Sequence, residues 1–129
     1  MALASDTRIY NALFRLSVDL FDKTRCFPKD VKPSIGRRIE ETLLDMADMV
    51  VYANMYEGTE RLRYIDALRV RYEKLQFLIN LAVSNKHISI SGQADISVVM
   101  SKIGRQITGW RKYTEKCMIS SHRCSPSFC

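Results

Sequence analysis

Apolar side chains recur every three or four residues in four successive blocks of this chain, and three breaks separate them. Such spacing follows the 3.6-residue turn of an α-helix and gives each block one apolar stripe. The spacing predicts helices over about 6–25, 34–56, 59–84 and 93–116. In the first, Ile9, Leu13, Leu16 and Leu20 form the seam, Tyr10, Phe14 and Phe21 widen it, and Ser5 or Asp6 is the expected N-cap. Cys26-Phe-Pro-Lys-Asp-Val-Lys-Pro33 ends that helix, because proline lacks an amide hydrogen and biases its predecessor toward an extended state. Ser34 is the expected cap of the second, whose seam is Ile35, Ile39, Leu43, Met46 and Val50. After Gly58-Thr59, the third carries Leu62, Ile65, Leu68, Tyr72, Leu75 and Ile79. The polar run Asn85 to Gly92 precedes the fourth, seamed by Ile96, Val99, Met100, Ile103, Ile107 and Trp110. No helix can hide its stripe alone, and the connections are short. An all-α, antiparallel up-down-up-down four-helix bundle over residues 1–117 is therefore expected, with a loose tail over 118–129.

The chain of 129 residues suffices for one such domain and is too short for two ordinary ones. Its 3 Pro and 5 Gly are few for an all-β chain that turns often. No apolar run approaches the roughly 20 residues of a membrane span. Met1-Ala-Leu-Ala-Ser5 lacks the basic and long apolar regions of a signal peptide, so a cytoplasmic protein is expected.

The net charge of +6 is uneven. Residues 1–58 hold 8 basic and 9 acidic side chains, and residues 59–129 hold 12 and 5. An anionic partner is therefore expected on the second half. At about 100° per residue, Lys102, Arg105, Gly109, Lys112 and Lys116 share one narrow arc of the fourth helix, away from its seam. No acid interrupts this arc, and its length of about 20 Å suits a phosphate backbone. Gly109 in its middle would admit a close approach. A solvated charged face is the competing reading. The third helix adds Arg61, Arg63, Arg69, Arg71 and Lys74, of which Arg63 and Lys74 point outward together, with Asp66 and Glu73 neutralising part of this charge. Val70 and Phe77 lie nearly opposite that helix's seam, where a monomer has no use for them, and mark an expected oligomer interface.

Nothing in the sequence points to catalysis. Glu41, Asp45 and Asp48 share an outward face of the second helix, but no Glu-x-x-His pair accompanies them, so they read as a solvated acidic face. His87 and His122 have no acid at helical spacing. Glycine-rich phosphate loops and nucleophile elbows are missing. Cys117, His122, Cys124 and Cys129 follow a spacing foreign to paired zinc knuckles, and with Cys26 they read as free thiols. Neither a metal nor a cofactor is expected.

The segments Ile103-Gly-Arg-Gln-Ile-Thr-Gly-Trp110, Phe27-Pro-Lys29 and Ser34-Ile-Gly-Arg-Arg-Ile39, together with Tyr10, resemble the accessory variability determinant proteins of diversity-generating retroelements. These sit within a wider group of four-helix bundles that includes proteins encoded in ribosomal RNA intervening sequences. The resemblance covers about residues 8–116. Its most specific part is Gly104-Arg105 followed by Gly109-Trp110; the family's usual pattern has two glycines before the tryptophan, and Thr108 stands for the first. The resemblance implies a non-enzymatic protein, assembled as a homopentameric barrel of bundles with a basic exterior. Its implied partners are the retroelement's reverse transcriptase and nucleic acid, RNA or DNA, in mutagenic cDNA synthesis. It implies contact roles for Arg105 and for Arg37 and Arg38, and a packing role for Gly104, Gly109 and Trp110. The competing reading is an intervening-sequence-type bundle that works purely as a protein-interaction module.

Overall fold

The computed structural model describes residues 8–119. They form four helices and no strand: α1 (Arg8–Arg25), α2 (Arg37–Met55), α3 (Gly58–Ser84) and α4 (Ile90–Ile119). Each packs on its neighbours in sequence, and α4 closes back on α1. The register of α3 against α4 shows that they run antiparallel. Asn80, Tyr72, Arg69 and Arg61 meet Gln93, Met100, Gly104 and Trp110 in turn, so partner numbers rise on α4 as they fall on α3.

The core is the predicted one. Ile9, Leu13, Leu16 and Leu20 of α1 meet Ile39, Leu43, Met46 and Val50 of α2. Ile65, Leu68, Leu75 and Ile79 of α3 and Ile96, Met100, Ile103 and Ile107 of α4 complete it. Each such side chain contributes about 1.5–3 kcal/mol by leaving water. Four expected members, Ile35, Leu62, Val99 and Trp110, are only half-buried, and Arg61 takes the inward position beside Leu62.

Helix boundaries differ where local hydrogen bonding outweighs hydropathy. Ser34 does not cap α2: its hydroxyl donates to the Val31 carbonyl at 2.9 Å inside a wide turn, Lys32–Gly36, that leads straight into the helix. The amide of Gly36 bonds the carbonyl five residues back, on Val31, at 3.3 Å. Gly36 is buried in this turn, and a Cβ there would stand 3.3 Å from the Phe27 ring. The Phe-Pro-Lys and Ile-Gly-Arg-Arg segments are thus packed on each other. Thr24, fully buried, donates to Glu40 at 2.6 Å and ties α1 to α2 at the same end. α4 starts at Ile90 and not at residue 93, because the Ser89 hydroxyl accepts from the Gly92 amide at 2.9 Å and caps it. It also runs on to Ile119, past the expected 116 and two residues into the segment read as tail. Ser5 and Asp6, and the tail from residue 120, lie outside the described residues.

Candidate functional site

Helical geometry brings Lys102, Arg105, Lys112 and Lys116 to the solvent side of α4, all exposed. Among the described residues no acid lies within ion-pairing distance of any of them. The basic residues around them are differently placed. Arg111 is neutralised by Asp66 at 2.7 Å and Glu115 at 2.8 Å, and these hydrogen bonds raise its pKa above the ordinary value. Arg61 leaves the surface altogether: its Nε donates to the Ala53 carbonyl at 2.7 Å, and its guanidinium stands 5.8 Å from the Trp110 ring centre. Burial lowers its pKa, against the pull of Glu57. The arginine thus satisfies a carbonyl near the end of α2 that has no helical partner of its own.

At the Gly104-Arg105 step, α3 and α4 meet through Tyr72 and Arg69. The hydroxyl end of Tyr72 of α3 lies against Gly104, and its hydroxyl donates to the Met100 carbonyl at 2.8 Å. A Cβ on residue 104 would stand 2.6 Å from that oxygen, so only glycine fits without a shift. Burial raises the Tyr72 phenol above its usual pKa, with Arg69 and Arg105 opposing. Arg69 sits over the Tyr72 ring, 5.3 Å from its centre, and donates to the Gly104 carbonyl at 3.2 Å and to the Thr108 hydroxyl. Thr108 in turn donates to the same carbonyl at 3.1 Å. Thr108 is therefore one of the groups that hold Arg69. Beside this arrangement opens a groove of about 560 Å³, lined by Arg69, Ser101, Gly104, Arg105, Thr108, Gly109 and Lys112.

Not every expected contact residue reaches this surface. Arg63 and Lys74 are exposed on α3, but the wheel of α3 puts Asp66, Val70, Glu73 and Phe77 between them and Arg69. Arg63 is also paired with Glu60 at 2.9 Å. Arg37 and Arg38 are exposed at the start of α2, which packs on α1 and α3, so they face another side of the bundle. Arg37 pairs with Glu41 at 3.3 Å. Val70 and Phe77 point to solvent, 64% and 66% exposed. Gly109 packs against nothing, with open space where a Cβ would stand. Trp110 is half-buried against the core, an anchor under Arg61. From the sequence, Arg69 counts only among the charges of the third helix and is not brought to this groove. Its signal was the lone polar hydroxyl of Thr108 amid the glycines of α4, which becomes legible only with the register of α3.

Outside this region, a second cleft of about 480 Å³ lies between Asp22, Cys26 and His87. Cys26 and Cys117 are free thiols, and no group of three residues able to hold a metal occurs among the described residues. His122, Cys124 and Cys129 lie outside them. No helix among the described residues is long and apolar enough to cross a membrane.

Comparison with known families matches residues 9–114 to the bAvd-like family. That span is most of the chain, so the protein belongs to this family, as the Gly-Arg and Gly-Trp segments imply. Comparison with curated proteins and with solved structures gave no match.

Proposed function

From this membership we propose that the protein is the non-catalytic accessory partner of a retroelement reverse transcriptase. It acts as an oligomeric basic scaffold that holds template RNA and cDNA during mutagenic synthesis. The observation that carries the nucleic-acid part is the acid-free ridge Lys102, Arg105, Lys112 and Lys116, which follows the groove edge of α4. Side chains of this kind hold phosphates and read no bases, so binding is driven by counterion release. Arg37, Arg38, Arg63 and Lys74 lie on other faces and supply secondary contacts at most. Assembly into a homo-oligomer, five-fold by family resemblance, would cover Val70 and Phe77.

Four phosphate contacts predict a loss of about a hundredfold in affinity for a structured RNA between 50 and 200 mM salt. Changing all four ridge residues to Glu should abolish binding. Salt-insensitive binding, or full binding by the four-Glu variant, overturns the reading.

The exposure of Val70 and Phe77 favours a second reading, a protein-interaction module with no nucleic-acid role. Co-purification with a candidate reverse transcriptase in the presence of nuclease separates the two. A complex that survives nuclease, formed by a protein with no RNA affinity, supports the module.

A further inference from the structure

Gly109 is costly to the helix and unexplained by packing. In a helix interior glycine is less favourable than alanine by a substantial margin, because its backbone loses more freedom. A Cβ at this position would meet nothing within 4 Å, so no contact inside the described chain demands its absence. What glycine provides here is space on the outside of α4, between Arg105 and Lys112 and at the edge of the groove of about 560 Å³.

The walls of that groove suit one kind of occupant. Three cations line it, Arg69, Arg105 and Lys112, with the hydroxyls of Ser101 and Thr108 and no carboxylate. Arg69 is the fixed member, held by the Gly104 carbonyl, the Thr108 hydroxyl and the face of Tyr72. Glu73, which does not line the groove, stands 3.7 Å from Arg69 and offsets part of its charge. Arg105 and Lys112 have no described ion-pair partner, so both can turn onto a ligand. A fixed positive wall, two movable cations and a gap in the helix surface match the charge of a phosphodiester and leave ample room for one.

We propose that this groove is a seat for one backbone phosphate, gripped by Arg105 and Lys112, with Arg69 as a positioning charge and Gly109 as the opening that lets the phosphate reach the helix. The proposal rests on the nucleic-acid reading above and narrows it: the ridge steers the strand, and the groove holds one point of it.

The test is fluorescence anisotropy of a labelled 20-nucleotide oligouridylate with the full chain across a salt series. Gly109→Ala should melt no lower than the parent protein, yet bind the probe at least about threefold more weakly, because its methyl fills the opening. Arg105→Gln should weaken binding about tenfold and reduce the slope of log affinity against log salt by about one, and Arg69→Gln should weaken it more than a ridge residue outside the groove does. Lys102→Gln, on the ridge but outside the groove, should lose less. Unchanged binding by Gly109→Ala, or a loss in Arg69→Gln no greater than in Lys102→Gln, overturns the seat and leaves the scaffold reading standing. A parent protein that fails to bind the probe overturns both.

Discussion

Gly104 and Gly109 stand on the same helix, in the same short motif, and the bundle uses them in opposite ways. Gly104 faces α3 and is filled to contact by Tyr72. Gly109 faces out and touches nothing. The first exists because a neighbour inside the chain has already arrived; the second makes room for a neighbour that has not. One residue type in one motif therefore carries two physical meanings, and only the register of α4 on α3 tells them apart. Perturbing the inward glycine should change stability, and perturbing the outward one should change binding.

The largest effect expected from this contrast is that of Gly104→Ala. The added methyl would lie 2.6 Å from the Tyr72 oxygen and 3.1 Å from its ring carbon, so the ring must move and its bond to Met100 must stretch. Overpacking of this kind costs about 1–3 kcal/mol, and the better helix propensity of alanine returns at most about 1. A net loss of about 1–2 kcal/mol should appear as a lower urea midpoint with unchanged slope. Tyr72→Phe in the same background should recover part of it, since the two changes share one contact. A Gly104→Ala protein as stable as its parent would erase the distinction between the two glycines.

A smaller effect should come from ionising Tyr72 without adding volume. Burial is the main cause that raises its pKa; Glu73 adds to the rise, while Arg69 and Arg105 oppose it. The folded state therefore holds the phenolic proton more tightly than the unfolded chain does. The stability linked to this group is complete below the unfolded value, about pH 10, and is lost as pH rises through the folded value. Urea midpoints should fall above about pH 10, and Tyr72→Phe should flatten that fall. An equal decline in both proteins would show that the inward half of the motif does not depend on the Tyr72 hydroxyl.

How much of this was legible in the sequence depends on how many helices a feature spans. The seams of Ile9 to Leu20 and Ile39 to Val50 were readable because burial on a single helix follows its own period. The ridge from Lys102 to Lys116 was readable for the same reason. The groove was not, because Arg69 is on one helix and Arg105 and Lys112 on another, and their meeting depends on inter-helix register. Arg61 was misleading for a related cause: hydropathy places Leu62 in the seam, but the unpaired carbonyl of Ala53 on α2 draws the arginine inward. The early start of α4 at Ile90 hid in a polar run, because the serine that caps it looks like loop composition. Sequence patterns within a helix report the fold, and bonds between helices decide the site.

Thr108 joins the two halves of the motif, and its substitution should produce the smallest change. Its hydroxyl donates inward to the Gly104 carbonyl at 3.1 Å and accepts from Arg69 at the groove wall. Thr108→Val keeps the shape and the branched Cβ, so helix propensity hardly changes and the hydroxyl alone is removed. Because the position is exposed, water replaces much of what is lost, and stability should fall by about 0.5 kcal/mol, the low end for a hydrogen bond. Arg69 keeps the Gly104 carbonyl and the Tyr72 face but loses one of its holds, so its wall of the groove becomes less fixed. A urea midpoint shifted slightly, together with faster Arg69 side-chain motion in NMR relaxation, would place Thr108 as the link between the packed glycine and the open one. A loss as large as that of Gly104→Ala would instead make Thr108 part of the packed half. The boundary between the two uses of glycine would then lie beyond it, at Gly109 itself.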